Sequence, residues 1–81
     1  MSDEKVVTLG EKRIRTEFNP SNQGYVDQLK QKSAELIDLV NQAANKKDWD
    51  DETLGEWKRL KSLSMTAYEE AAMWAVKAAT I

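Results

Sequence analysis

The chain of 81 residues contains no cysteine and no histidine. Without cysteine there is no disulfide framework and no thiolate chemistry. Without histidine, the usual general base near neutral pH and the commonest transition-metal ligand are both missing. Glycine is scarce, and Gly10, Gly24 and Gly55 stand apart from one another. A glycine-rich loop that cradles phosphates is therefore excluded. Pro20 is the one proline. No apolar run approaches the roughly 20 residues that span a bilayer. The first eight residues are acidic at the front and lack the apolar core of a signal peptide. These features predict a soluble, intracellular protein that makes no membrane contact. Charge of one sign is also in short supply, with 12 basic against 14 acidic residues and a net charge of −2. Proteins that grip duplex nucleic acid usually show a basic face, so no duplex partner is expected. A small anionic ligand needs only a few local cations and stays open.

Catalytic groupings are equally thin. The adjacent acids Asp50-Asp51 and Glu69-Glu70 are the paired carboxylates. Neighbours on a helix point about 100° apart, so Glu69 and Glu70 make no acid/base pair within one protomer. The serines have no histidine base beside them. The acidic run from Asp48 to Glu52 reads as a helix cap plus a solvated turn. The expectation is a binding protein with no catalytic residue, no metal and no cofactor.

The remaining sequence is helical in pattern. Residues 1–8 read as a flexible arm, and residues 9–81 as one domain. Leu9 to Glu17 forms a short helix, with Leu9, Arg13 and Thr16 on one face. Pro20 biases Asn19 toward extended geometry, so Phe18 and Asn19 fall in a turn. Ser21 or Asn22 caps a second helix that runs to about Asn45. Its apolar stripe is Val26, Leu29, Leu36, Ile37, Val40 and Ala44, completed by Ser33. Steps of three and four mark a seam between helices; the period-two alternation of a strand is absent. Residues 45–51 are a polar connection in which Trp49 covers the open end of the hairpin. Asp50 or Asp51 caps a third helix that runs to about Ala79. Its main stripe is Leu60, Leu63 or Ser64, Ala67, Ala71, Trp74 and Ala78. A second stripe holds Met65, Ala72 and Val76. One stripe faces the hairpin partner; the second is expected to pack against another copy of the chain. The fold class is thus all-α: a short N-terminal helix, then an antiparallel hairpin of two long helices, assembled as a homo-oligomer.

Cations and one aromatic supply the candidate site. Lys12, Arg13 and Arg15 precede Phe18, where a solvated face with salt bridges to Glu11 and Glu17 is the plain alternative. An aromatic beside such cations can stack on a base while Arg15 holds a phosphate. Lys30 and Lys32 are two positions apart, about 200° around a helix, so they serve different pockets. Lys58, Arg59 and Lys61 cluster in the third helix, within reach of Glu56 or Asp51.

Two segments give the chain a likeness. One runs from Leu9 to Ser21 and carries Phe18 and Pro20. The other runs from Tyr68 to Thr80 and carries Glu69-Glu70-Ala71-Ala72-Met73-Trp74-Ala75; between them lies Ala34-Glu35-Leu36. Together they resemble the phage anti-CBASS sponges, whose helical hairpin is shared with anti-Thoeris sponges. The resemblance implies a homohexamer that binds cyclic oligonucleotide second messengers and does not cleave them. It implies action in the cytoplasm of an infected bacterial host. It places the base-stacking aromatic on Phe18 and the dinucleotide-binding cation on Lys30. A second kind of pocket, for cyclic trinucleotides, falls on Lys32 or Ser33 and on Arg59. Arg15 comes from the residues themselves and not from the family. The function expected is immune evasion by sequestering cyclic dinucleotides such as cGAMP, and cyclic trinucleotides at the second pocket. The competing expectation is a small helical oligomerisation or regulatory module that binds a protein partner.

Overall fold

The computed structural model describes residues 7–15 and 24–81. Over these residues the protein is all-helical, with α1 (Leu9–Ile14), α2 (Gly24–Asn41) and α3 (Asp51–Ala79). The first six residues of the arm expected at 1–8, the turn around Phe18 and Pro20, and the cap expected at Ser21 or Asn22 lie outside the described residues. The helices α2 and α3 form an antiparallel hairpin. Lys61, in the first half of α3, reaches the carbonyls of Asn41 and Ala43 at the end of α2. Lys30, early in α2, shares a cavity with Thr66, Ala72 and Val76, further along α3. The short α1 packs chiefly on α2 and also touches α3.

Each helix has a local reason to begin and end where it does. At the start of α1, Thr8 and Glu11 make a capping box. The Glu11 N–H donates to the Thr8 hydroxyl at 3.0 Å, and the Thr8 N–H donates to Glu11 Oε1 at 3.0 Å. The helix stops at Ile14, before the expected Glu17, because Arg15 turns left-handed (φ 61°, ψ 63°). Its N–H donates to the Glu11 carbonyl at 2.8 Å, closing the last turn. The helix α2 stops at Asn41, before the expected Asn45. The N–H groups of Gln42 and Ala43 tighten onto Leu39 and Val40, and Lys61 Nζ satisfies two terminal carbonyls at 3.1 and 3.0 Å. A cation there also suits the negative end of the helix dipole. For α3, Asp50 and not Asp51 is the cap. Its Oδ1 accepts the Thr53 N–H at 2.8 Å. Hydrogen bonding to Thr53 holds the Asp50 carboxyl below its ordinary pKa.

The core is Val26, Ala34 and Ile37 from α2 with Met65 and Ala72 from α3. This corrects the expected assignment of the two α3 stripes. Met65 and Ala72 are buried within the protomer, and Val76 is half-buried beside them. The stripe expected to face α2 is the exposed one. Leu60, Leu63 and Trp74 keep 52%, 53% and 53% of their surface, and Ala67, Ala71 and Ala78 are also exposed. The true seam runs through Trp57, Lys61, Ser64, Met65, Tyr68, Ala72, Ala75, Val76 and Ala79, all buried or half-buried. Its steps of three and four are regular, but Lys61, Ser64 and Tyr68 interrupt its apolar character. Lys61 belongs there because its apolar stem can be covered while its charge caps α2.

A parallel correction applies to α2. Leu36, expected in the seam, is 41% exposed, while Ala34 is fully buried. The reason is the close approach of α1. A Cβ placed on Gly10 would collide with the Ala34 carbonyl oxygen and sit 2.8 Å from both the Ala34 carbonyl carbon and Asp38 Oδ1. Two backbones that meet this closely require small residues at the crossing. Gly10, not Leu9, is therefore the buried residue of α1. Its N–H donates to Asp38 Oδ1 at 2.7 Å.

At the other end of the hairpin, Trp49 is half-buried against Trp57, with ring centroids 5.6 Å apart and planes tilted by 53°. Lys61 Nζ lies 4.8 Å from the Trp57 ring centroid. Trp49 closes the connection, as its isolated aromatic character suggested.

Candidate functional site

A cavity of about 480 Å³ opens where the three helices meet. From α1 come Arg13, Ile14 and Arg15, and from α2 comes Lys30. The wall from α3 includes Thr66, Glu69, Glu70, Ala72, Met73 and Val76. The volume suits a small organic ligand, since such pockets are typically about 300–1,000 Å³. Ile14, Ala72, Met73 and Val76 give an apolar lining suited to a flat ring. Three cations and two carboxylates give it polarity.

The carboxylates are engaged. Arg13 Nε donates to Glu69 Oε1 at 2.9 Å, and Arg13 Nη2 donates to Thr66 Oγ1 at 3.2 Å. This part-buried pair ties α1 to α3 across 56 residues of sequence. The alternative of a salt bridge to Glu11 is not the one Arg13 takes, and Glu17 lies outside the described residues. Glu70 accepts from Trp74 Nε1 on its own helix at 3.3 Å. Its neighbour Glu69 makes the cross-helix pair. Trp74 itself stands on the exposed side of α3, not in the seam, with Lys77 Nζ 5.4 Å from its ring centroid.

Arg15 and Lys30 are different. Both line the cavity, and neither has an ion-pair partner among the described residues. Lys30 is half-buried on α2, while Arg15 projects from the left-handed residue that ends α1. Two unspent cations beside an apolar wall can hold two anionic groups that flank aromatic rings.

The other sequence candidates do not converge here. Lys32 is exposed on α2. Ser33 spends its hydroxyl on the Leu29 carbonyl at 2.7 Å. Arg59 is bound to Glu56, with Nη2 2.7 Å from Oε2 and Nε 3.0 Å from Oε1. Hydrogen bonding to Glu56 raises the Arg59 pKa, and the same bond lowers that of Glu56. Arg59 precedes Lys61, which sits level with Asn41 and Ala43. Ser33 is about 12 Å further along α2. The three residues therefore form no common pocket within one protomer. Phe18 lies outside the described residues. The acidic run gives one helix cap, and among the described residues no group of three or more acids is placed to hold a metal ion. No helix among them is long and apolar enough to cross a membrane.

Thr66, Glu69, Met73 and Val76 were not singled out as a cavity wall from sequence. Their spacing along α3 is helical, but only the position of α1 makes that face a wall.

No curated protein and no solved structure matches the chain. A family model described as "Acb2/Tad1, hairpin domain" matches residues 10–80, which takes in α1 except Leu9, both long helices and every cavity residue named above. The chain belongs to the Acb2/Tad1 hairpin-domain family, the anti-CBASS and anti-Thoeris sponges.

Proposed function

We propose that this protein binds cyclic dinucleotides of the cGAMP type in the three-helix cavity. It thereby withdraws them from host anti-phage signalling in the infected cell's cytoplasm. The observation that carries this reading is the meeting of Arg15 and Lys30, neither with an ion-pair partner among the described residues, at one apolar-walled cavity. A cyclic dinucleotide carries two phosphates and two flat bases, so two cations and an apolar wall match its chemistry. Phe18 follows Arg15 by three residues, a tether of at most about 11 Å. Base stacking by Phe18 is compatible with that reach.

The chain works as a homo-oligomer, with a hexamer as the assembly the family implies. Its shortest dimension is 12 Å, about one helix diameter. A single layer leaves both faces open, whereas domains usually pair two layers. A compact protein of 9.2 kDa exposes about 4,900 Å²; this chain exposes 6470 Å². The excess is about twice the roughly 800 Å² that one partner contributes to a standard interface. The exposed Leu60, Leu63 and Trp74 on α3, with Leu36 and Leu39 on α2, supply apolar surface for it. Lys32, Ser33 and Arg59 can then hold cyclic trinucleotides only where different copies bring them together. Such a site must also compete with Glu56 for Arg59.

Binding leaves the ligand intact, because Thr66, the one hydroxyl residue among the described cavity residues, and its neighbour Glu69 are both held by Arg13. The test is recovery. The protein is loaded with cGAMP, freed of excess and heated until it unfolds. The account expects intact cGAMP in the supernatant, in stoichiometric amount. A linear product, absent from a Lys30→Ala control, contradicts sequestration. An absence of any bound nucleotide favours the helical partner-binding module instead.

A further inference from the structure

The left-handed Arg15 and the pairing of Arg13 point to a division of labour between the two arginines. A residue with φ near 60° usually is glycine or asparagine, because a Cβ is crowded there. Here the position holds arginine, at φ 61°. Its N–H is fixed to the Glu11 carbonyl, and its side chain lines the cavity. The helix that carries it has only six residues, too few to be stable alone. Two contacts hold that helix in place. Near its start, the Gly10 N–H donates to Asp38 on α2 at 2.7 Å. Near its end, Arg13 reaches Glu69 and Thr66 on α3 at 2.9 and 3.2 Å.

We propose that Arg13 is a positioning residue. Its bonds to Glu69 and Thr66 fix the end of α1 so that Arg15 faces the cavity, and Arg13 itself does not meet the ligand's phosphates. The proposal rests on the cavity being the cyclic-dinucleotide site. Three features support it. Arg13 Nε and Nη2 are already committed to α3 oxygens. Arg13 is two residues from Arg15, so anchoring one limits the swing of the other. Neutralising Glu69 by Arg13 also removes a negative charge that otherwise repels a phosphate at the same wall.

Two measurements decide it, each on the full chain. The first needs no ligand. Amide hydrogen exchange is followed in wild type and in Glu69→Gln, which keeps the side-chain shape. The expected result is faster exchange at the Arg15 N–H by about fivefold or more, with amides in the middle of α3 unchanged. Unchanged exchange at Arg15 overturns the proposal. The second is a double-mutant cycle read by calorimetric titration with cGAMP. Arg13→Ala is expected to weaken binding by about tenfold in the wild-type background and by less than about twofold in the Arg15→Ala background. Additive losses show that Arg13 touches the ligand independently and overturn the proposal. So does full affinity in Arg13→Ala. If wild type binds no cyclic dinucleotide, the functional reading fails, while the exchange result still decides whether Arg13 positions Arg15.

Discussion

Replacing Gly10 with alanine should detach α1 from α2, although the same change improves helix propensity. The two effects oppose each other, so the sign of the outcome is informative. In an exposed helix, Gly→Ala gains about 1 kcal/mol. At Gly10 the added Cβ meets the Ala34 carbonyl, which is helix backbone and cannot rotate away. Overpacking of this kind costs about 1–3 kcal/mol. Relief by moving α1 outward breaks the Gly10 N–H bond to Asp38 at 2.7 Å. A hydrogen bond to a charged group contributes about 1.5–3 kcal/mol. Strain and its relief are alternatives, so after the gain in propensity the net is a loss of about 0.5–2 kcal/mol, limited by what the docking of α1 contributes in total. Part of the loss falls on α1 alone, because the α2–α3 hairpin does not need it. The assay is thermal unfolding together with hydrogen exchange at the Lys12 and Arg15 amides, which bond to Thr8 and Glu11. Gly55→Ala is the internal control. It lies in α3, and nothing approaches its Cβ position within 4 Å. Gly55→Ala should raise stability by about 0.5–1 kcal/mol. Gly10→Ala should lower the melting temperature by about 2–16 °C, unprotect the α1 amides and weaken cGAMP binding through Arg15. A rise in melting temperature in both variants refutes the close crossing of α1 over Ala34.

Three further outcomes follow from the same geometry. Lys61→Met keeps the apolar stem but removes the charge that caps α2, so it should cost about 1 kcal/mol, read from the urea midpoint. Asp50 has its folded pKa depressed below the ordinary 3.8 by its bonds to Thr53; its contribution is present above that value and lost as pH falls through the lower folded one. An acid titration of helix content should show this loss in wild type and not in Asp50→Asn. Ala72→Glu buries a charge in the hairpin seam and should unfold the protomer, whereas Leu63→Glu, on the exposed stripe, should leave helix content intact and reduce the solution mass to one protomer; a wild-type mass of 9.2 kDa contradicts the oligomer.

Helix existence was legible in the sequence because steps of three and four and polar caps are local signals. The start and end of α3 emerge nearly as expected for that reason. Which stripe faces inward was not legible. Leu60, Leu63 and Trp74 are more apolar than Lys61, Ser64 and Tyr68, yet the latter lie in the seam. Burial there is decided by Lys61 reaching the end of α2, which no spacing rule announces. The early stop of α2 has the same cause. The capping box of Thr8 and Glu11 was a readable signal that the apolar pattern of α1 overshadowed. Arg15 was singled out from residue type and Lys30 through the resemblance, and the structure brings them to one cavity. The Arg13–Glu69 pair joins positions 56 apart, which a single sequence gives no means to connect. The exposed apolar stripe of Leu60, Leu63 and Trp74 is the surface that the proposed assembly would cover.

The central claim is that Arg15 and Lys30 together hold a cyclic dinucleotide in the three-helix cavity. Calorimetric titration with cGAMP of wild type, Lys30→Ala, Arg15→Ala and the double variant tests it most directly. Each charge-assisted bond to a phosphate contributes about 1.5–3 kcal/mol, so each single change should weaken binding by about tenfold or more. The double variant should bind too weakly to measure while keeping the helix content of wild type. Wild-type affinity in both single variants contradicts the claim and moves the ligand away from this cavity.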